Sequence, residues 1–138
     1  MIEYSRVFLD TAPIIYYLQQ DENFFDKTKT ILCDMIENDA VFVTSDITTE
    51  EYCVYPYKDD RMELISEYER FLQQLQIEIV HTSDTIAKMA AQIRAQHPGF
   101  KAMDSLQLSA AVNSGCNLFL TNDKQLLQYV GIKCVTVA

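Results

Sequence analysis

The chain has 138 residues, of which 49% are apolar and only three each are Gly and Pro. This composition fits one domain over residues 1–138 and excludes a disordered chain or a turn-rich all-β fold. The net charge of −9 argues against general nucleic-acid binding, so a polyanionic substrate would require a bound cation or a local basic patch.

The first 44 residues predict two strands separated by two helices. Residues 6–10 are short, apolar and end in an acid, which indicates a strand, and residues 12–20 follow as a helix that accepts Pro13 in its first turn. In residues 23–39 the apolar side chains recur on one side, which predicts an amphipathic helix. The β-branched and aromatic residues 40–44 predict a second strand.

The middle of the chain predicts two more helices and a third strand. A helix begins at residues 48–57, and we expect Pro56 to end it or kink it. Residues 58–76 carry an apolar stripe at helical spacing. The short apolar segment 77–80 predicts a strand.

The last third of the chain continues the alternation of helices and strands. Residues 83–96 predict a helix with Ser83 as its N-cap, and residues 102–115 predict a buried helix because they are apolar on most sides. The remaining predicted elements are a strand at 117–121, a short helix at 123–131 and a strand at 132–137. Such alternation is typical of βαβ units, so we predict a three-layer α/β/α fold around a parallel sheet of about five strands.

The cysteines and the N-terminus indicate a cytoplasmic protein. The four cysteines are far apart in sequence and form no CxxC pair, and the chain has only two histidines. A zinc site or a disulfide framework is therefore not predicted, and the thiols are expected to be reduced. No apolar run approaches the roughly 20 residues that span a bilayer, and the N-terminus lacks the apolar stretch of a signal peptide.

Acidic residues stand at the ends of the predicted strands. Asp10 ends the first strand, Glu50 and Glu51 follow the second, Asp123 follows the fourth, and Asp104 lies in the first turn of the buried helix. Taken singly, each has an ordinary explanation as a helix cap or first-turn acid, and Thr48 with Glu51 fits a capping box.

Taken together, these acids predict a metal site. The carboxyl ends of parallel strands share one edge of a sheet, and ligands bind in the crevice outside that edge. Several carboxylates in one crevice repel each other unless a cation lies among them. Oxygen ligands favour hard divalent ions, so the pattern predicts Mg²⁺ or Mn²⁺.

Four sequence motifs resemble those of PIN-domain ribonucleases, and most closely the VapC-type toxins of toxin–antitoxin pairs. They occur in the order that the family has and cover nearly the whole chain. The motifs are VFLDTAPIIYYL, VTSDITTEEY, KAMDSLQLSAA and LFLTNDKQLL.

The resemblance assigns roles to individual residues. Asp10, Glu51, Asp104 and Asp123 match the family's four acids, with Glu50 as the alternative register for the second. The resemblance implies that Asp10, Asp104 and Asp123 hold the ion, directly or through water, and that Glu51 completes the site or orients the attacking water. The small polar residues that match those around the family's metal site are Thr11, Thr121 and Asn122.

The activity implied by the resemblance is Mg²⁺- or Mn²⁺-dependent endonucleolytic cleavage of RNA that leaves a 5′-phosphate and a 3′-hydroxyl. Metal-assisted attack by water requires no serine, cysteine or histidine nucleophile, which agrees with the residue types in the motifs. The resemblance also implies a VapB-like antitoxin as protein partner and a homodimer.

Basic and aromatic residues are the candidates for substrate and partner contacts. Lys101 and Lys124 border the third and fourth motifs, and we expect them to contact RNA, with surface solvation as the alternative. Arg94, Lys58 and Arg61 are weaker candidates. Two groups of tyrosines follow the first and second strands, and they predict either a half-buried rim or a surface for an antitoxin or a second subunit.

Two other functions compete with the nuclease. A phosphotransfer enzyme of the haloacid-dehalogenase kind also has an Asp at the first strand tip, but it has a second Asp two positions later, where this chain has Ala12. The other alternative is a PIN-like scaffold that binds RNA or protein without cutting.

Overall fold

Five short strands form one parallel sheet in the computed structural model, which describes residues 4–138. The strands are β1 (Arg6–Leu9), β2 (Val41–Ser45), β3 (Glu78–Val80), β4 (Leu118–Thr121) and β5 (Lys133–Thr136). Their order across the sheet is β3-β2-β1-β4-β5, and each neighbouring pair is parallel. The first strand of the chain therefore lies at the centre of the sheet.

Six α-helices and one 3₁₀ helix connect the strands. The α-helices are α1 (Thr11–Leu18), α2 (Phe25–Glu37), α3 (Asp46–Lys58), α4 (Met62–Gln74), α5 (Asp84–Gln96) and α6 (Ala102–Asn113), and the 3₁₀ helix spans Lys124–Gln128. Ser83 caps α5 as predicted, by accepting from the N–H of Ile86. Gly115, just beyond α6, has a φ of 79°, a conformation that glycine adopts without steric cost.

The sheet separates two hydrophobic cores, as alternation along a buried strand requires. Val7 and Leu9 of β1 point to the face covered by α1, α2, α3 and α4. Phe8 points to the opposite face, where it stacks on Phe119 of β4 beneath α5 and α6. This arrangement confirms the predicted three-layer α/β/α fold with five parallel strands.

Helix α3 differs from the helix predicted at residues 48–57. The helix α3 begins at Asp46 because Ser45 at the tip of β2 is its N-cap and accepts from the N–H of Ile47. The predicted capping box of Thr48 and Glu51 is therefore wrong. Pro56 does not end the helix, which continues to Lys58 although the proline cannot donate the usual backbone hydrogen bond.

Smaller differences affect the other boundaries. Strand β1 ends at Leu9, and Asp10 is the N-cap of α1. The long helix predicted at 58–76 begins only at Met62. The short helix predicted after β4 is a 3₁₀ helix of five residues, Lys124–Gln128. These shifts leave the order of the elements unchanged.

The connections change faces of the sheet beside its central strand. The two connections that follow β1 and β2 pack on one face, and those that follow β3 and β4 pack on the other. The carboxyl ends of β1 and β4 therefore adjoin at a topological switch point, where open α/β sheets form a binding crevice. Among residues 4–138, the helices are too short or too polar to cross a membrane.

Candidate active site

A pocket of about 370 Å³ lies at the carboxyl edge of the sheet, over the switch point. All four predicted acids line it, together with the three predicted small polar residues and one lysine. The lining residues are Asp10, Thr11, Ala12, Tyr16, Glu51, Asp104, Thr121, Asn122, Asp123 and Lys124. The fold thus brings together residues from β1, α3, α6 and β4 that are distant in sequence.

Asp10 is the most buried of the four acids, with 8% of its surface exposed. Its Oδ1 accepts from the N–H of Thr11 at 2.9 Å and from Nε2 of Gln107 at 3.3 Å, and its Oδ2 accepts from the Thr121 hydroxyl at 2.8 Å. Burial raises the pKa of Asp10 to about 6, against these hydrogen bonds, and the charges of Asp104 and Glu51 add to the rise. The carboxylate is therefore held in place but lacks a compensating positive charge.

Glu51, and not its neighbour Glu50, faces the pocket. Glu51 is partly buried on α3, and its Oε1 accepts from the Thr11 hydroxyl at 2.6 Å. Glu50 is exposed and does not line the pocket. The one-residue difference turns the two side chains by about 100° around the helix axis, so only one of them can point at the sheet edge.

Asp104 stands in the first turn of α6 and is partly exposed. The N-terminus of α6 begins after Lys101 without a side-chain cap, so Asp104 is not a capping residue. Burial raises the pKa of Asp104, the charges of Asp123 and Glu51 raise it further, and Lys101 opposes the rise. This carboxylate is thus close enough to two other acids to be destabilised by them.

Asp123 combines the two roles that its sequence position allows. Its Oδ1 accepts from the N–H of Gln125 at 3.0 Å and so caps the 3₁₀ helix, while its side chain also lines the pocket. Neither Thr121 nor Asn122 caps this helix. The Thr121 hydroxyl accepts from the Asp123 N–H, and Asn122 donates to the hydroxyl of Tyr16 at 3.0 Å.

The donor set of the pocket fits a hard divalent cation. Its acidic side chains offer carboxylate oxygens, and no cysteine or histidine of residues 4–138 lines it. In that part of the chain, no three His, Cys, Asp or Glu side chains are clustered tightly enough to enclose an ion by themselves. Mg²⁺ usually keeps several water ligands and binds directly through one or two carboxylates, so a wide ring of acids suits it better than a closed cage.

The basic candidates divide into two groups. Lys124 lines the pocket, and Lys101 is close enough to Asp104 to lower its pKa. Arg61 pairs with Glu63 at 2.5 Å in the connection between α3 and α4. Lys58, at the end of α3, and Arg94, in the last turn of α5, are exposed and line no part of the pocket.

The tyrosines occupy three different environments. Tyr52 and Tyr68 are buried and stacked on each other, so they belong to the core. Tyr55 and Tyr57, near the end of α3, are 46% and 63% exposed. Tyr16 lies at the pocket wall and stacks on a phenylalanine.

Sequence reasoning missed Gln107, which is fully buried beneath the pocket and contacts Asp10. A signal for it exists in the sequence, because Gln107 is the one long polar side chain in the interior of an otherwise apolar helix. It also follows Asp104 by three positions, which places both on the same face of α6.

Comparisons with known proteins agree with the fold. A profile of the PIN domain family matches residues 7–132. No curated protein matches the sequence closely enough to count as a relative.

Several solved structures are similar over almost their whole length. VapBC2 from Rickettsia felis, bound to a DNA fragment from its promoter, is 18% identical with a TM-score of 0.77, over 95% of this chain and 98% of that chain. DNA-bound VapBC from Salmonella typhimurium is 18% identical with a TM-score of 0.73, over 97% and 99% of the two chains. VapC20 from Mycobacterium tuberculosis, a sarcin-ricin loop cleaving toxin, is 12% identical with a TM-score of 0.67, over 92% and 98%.

At these identities the likeness to solved structures is one of fold. The family profile spans most of the chain, including the strands whose tips carry the first and last acids. Together with the sheet order and the acidic pocket at its switch point, this match shows that the chain belongs to the PIN domain family.

Proposed function

We propose that this protein is a divalent-metal-dependent endoribonuclease and the toxin of a toxin–antitoxin pair. The observation that carries the proposal is the convergence of Asp10, Glu51, Asp104 and Asp123 on one pocket. Burial raises the pKa of both Asp10 and Asp104, and the neighbouring carboxylates raise it further, so the arrangement disfavours its own charged form. Such a site becomes favourable when a cation occupies it, and clusters of perturbed acids of this kind occur at functional sites.

In this proposal Asp10, Asp104 and Asp123 hold the ion, directly or through water. When bound, a divalent ion supplies positive charge for the phosphoryl oxygens and makes a water molecule easier to deprotonate. Glu51 accepts a hydrogen bond from Thr11 through one oxygen, which orients the carboxylate so that the other oxygen can complete the site or accept a proton from the attacking water. The products are a 5′-phosphate and a 3′-hydroxyl.

Lys101 and Lys124 are the proposed RNA contacts. Both are exposed beside the pocket, and neither forms a salt bridge among residues 4–138. The distribution of charge along the chain also favours RNA binding on the side of the pocket that holds Lys101 and Lys124. Residues 79–138 contain five basic and three acidic residues, whereas residues 1–78 contain six basic and 17 acidic ones. Two of those three acids are Asp104 and Asp123 themselves, so RNA that approaches over α6 and the 3₁₀ helix meets little repulsion.

The structural neighbours support RNA as substrate and a small protein as partner. VapC20, which shares the fold, is described as a sarcin-ricin loop cleaving toxin, and the R. felis and S. typhimurium structures are VapBC complexes. Exposed apolar side chains at the end of α3 and the start of α4 are candidates for contact with such a partner. They are Val54, Tyr55, Tyr57 and Met62. The proposal includes a homodimer, which a mass measurement in solution tests.

The enzymatic test compares the wild-type protein with matched variants. Purified protein is incubated with ribosomal, transfer and messenger RNA in Mg²⁺ or Mn²⁺, with a chelator control. We expect cleavage that requires the ion and is lost in Asp10→Asn and Glu51→Gln. Glu50→Gln is the matched control because it removes the same charge one position outside the pocket, and it should cut normally.

Two outcomes would overturn the nuclease proposal, and a third would overturn the assignment of the pocket as its active site. Wild-type protein that binds RNA but never cuts, across metals and RNAs, would indicate a binding module. A stable phosphoryl adduct on Asp10 would indicate a phosphotransfer enzyme. Cleavage that survives Asp10→Asn would mean that the pocket is not the active site.

The toxin role requires a separate test in cells. Expression of the wild-type chain should arrest growth, and Asp10→Asn should not. A small DNA-binding protein encoded next to this chain should restore growth and bind the purified protein. Normal growth during expression of an enzyme that is active in vitro would remove the toxin assignment and leave the nuclease assignment intact.

A further inference from the structure

Gln107 is a buried polar residue in the middle of α6, with 1% of its surface exposed. Its neighbours on the helix, Leu108 and Ala111, are fully buried apolar residues. Burial of an amide is costly unless both its oxygen and its nitrogen form hydrogen bonds. The position of Gln107 in this core therefore requires specific partners.

The partners fix the amide in one orientation. Its Nε2 donates to the Thr48 hydroxyl at 2.7 Å and to Oδ1 of Asp10 at 3.3 Å, while its Oε1 accepts from the Ser45 hydroxyl. The Ser45 oxygen already accepts from the N–H of Ile47, so its hydrogen is directed to the amide oxygen. A flipped amide would set its oxygen against a carboxylate oxygen, which has no hydrogen to share.

These contacts join four elements beneath the pocket, β1, β2, α3 and α6. Asp10 follows β1, and Ser45 and Thr48 belong to the tip of β2 and the first turn of α3. Gln107 itself lies one turn after Asp104 on α6. The amide therefore ties the helix that carries Asp104 to the strand tip that carries Asp10.

The chemistry of an amide suits this place better than any charged group. A lysine or arginine here would neutralise Asp10 and compete with a cation in the pocket. A glutamate would add another negative charge within hydrogen-bond distance of Asp10. An amide donates a hydrogen bond without a net charge, so it holds the carboxylate and leaves its charge available.

We propose that Gln107 is a positioning residue, which orients the Asp10 carboxylate and sets the spacing between Asp10 and Asp104 for a divalent ion. This inference rests on the proposed metal-dependent nuclease. It assigns a role to a residue other than the four acids. Gln107 lines no part of the pocket surface, and it acts only through its contacts with Asp10, Ser45 and Thr48.

The test uses Gln107→Met, which keeps the length of the side chain and removes all three hydrogen bonds of the amide. Mn²⁺ affinity is measured by calorimetry on RNA-free protein, and kcat and KM are measured on a cleavable RNA. We expect the Mn²⁺ dissociation constant to rise about 10-fold and kcat to fall roughly 10- to 100-fold, as is usual when a residue that supports a metal ligand is lost. KM for RNA should change less than about threefold, since Gln107 does not face the substrate.

The matched control is Ser109→Ala on the same helix. Ser109 is also fully buried, and its hydroxyl donates to the carbonyl of Ile86 at 2.7 Å, away from the pocket. This variant should lower thermal stability and leave Mn²⁺ affinity and kcat unchanged. If Gln107→Met does not fold, Ser45→Ala tests the same orientation of the amide, with an expected loss of a few-fold in Mn²⁺ affinity.

The outcomes separate this inference from the proposed function. If the wild-type protein binds Mn²⁺ and cuts RNA, and Gln107→Met does both equally well, the inference about Gln107 is wrong and the nuclease stands. Equal losses in Gln107→Met and Ser109→Ala would also overturn it, because the effect would then come from stability alone. If the wild-type protein neither binds Mn²⁺ nor cuts RNA, the proposed function itself fails, and the role of Gln107 fails with it.

Discussion

The two halves of the acidic pocket are built differently. Around Asp10 the chain is buried and the carboxylate accepts three hydrogen bonds, whereas Asp104 is partly exposed and forms no hydrogen bond through its carboxylate among residues 4–138. We call the first the closed half (Asp10, Thr11 and Glu51) and the second the open half (Asp104, Asp123 and Lys124). The difference suggests that the closed half fixes the site and the open half receives the ligand.

The buried Asp10 carboxylate of the closed half lowers the stability of the folded protein. The hydrogen bonds that hold Asp10 favour its charged form, but burial outweighs them and raises its pKa to about 6. In solution an aspartate has a pKa near 3.9. Without a cation, the Asp10 carboxylate is therefore charged at neutral pH in a buried position, and this charge costs less free energy in the unfolded chain.

The largest expected effect is that of Asp10→Asn, which should abolish cleavage and stabilise the fold. Activity should fall by more than about 100-fold, beyond the loss typical of residues that only support a metal ligand. In a chelator at pH 8, the free energy of unfolding should rise by roughly 1 to 3 kcal/mol, because the substitution removes a carboxylate whose pKa burial raises to about 6. Urea denaturation measures this difference.

The pH dependence of folding stability tests whether the Asp10 carboxylate destabilises the fold. Between about pH 4 and 6 the folded state binds more protons than the unfolded state, so wild-type stability should fall as the pH rises through this range. The stability of Asp10→Asn should vary less there, and the two proteins should converge near pH 4. A wild-type protein as stable as the variant at pH 8 would mean that Asp10 is not strained.

Binding of a divalent ion should offset the loss of stability that the buried Asp10 carboxylate causes. At a Mn²⁺ concentration of 100 times the dissociation constant, binding to the folded state alone stabilises by about 2.7 kcal/mol. We expect the wild-type melting temperature to rise on addition of Mn²⁺ at pH 8 and to rise much less below pH 6, because Asp10 is then protonated. An equal rise in Asp10→Asn would place the ion elsewhere.

In the open half, two substitutions of Asp123 separate its roles. Asparagine is as good an N-cap as aspartate, so Asp123→Asn should keep its stability and lose cleavage. Asp123→Ala removes the hydrogen bond to Gln125 as well, and its free energy of unfolding should fall by about 1 kcal/mol. Equal stability of the two variants would show that the cap contributes nothing.

The smallest expected effects concern Lys101 and Lys124. Lys101→Gln and Lys124→Gln should each raise KM a few-fold and reduce the slope of log affinity against log salt by about 0.7, the value for one phosphate contact on a single strand. Lys133→Gln, at the start of β5 on the opposite edge of the sheet, is the matched control and should change neither. A reduced slope in the control would show that RNA is attracted by the general charge of the protein and does not bind specifically at Lys101 and Lys124.

The sequence predicts the place of the acids better than their surroundings. Strand tips in a parallel sheet share an edge whatever the exact boundaries, so Asp10 and Asp123 could be placed together before any coordinates. The start of α3 could not, because Ser45 and Thr48 are both good N-caps and only packing decides between them. The orientation of Gln107 likewise depends on four elements that meet only in the folded chain.

The central position of β1 also has a consequence for the order in which the protein is made. Asp10 belongs to the first strand, but its hydroxyl donor Thr121 lies 111 residues later, on β4. A chain emerging from the ribosome has no complete pocket until β4 has been synthesised and has paired beside β1. This topology delays assembly of the proposed active site until β4 has left the ribosome, so a growing chain that stops short of β4 lacks the Thr121 side of the pocket.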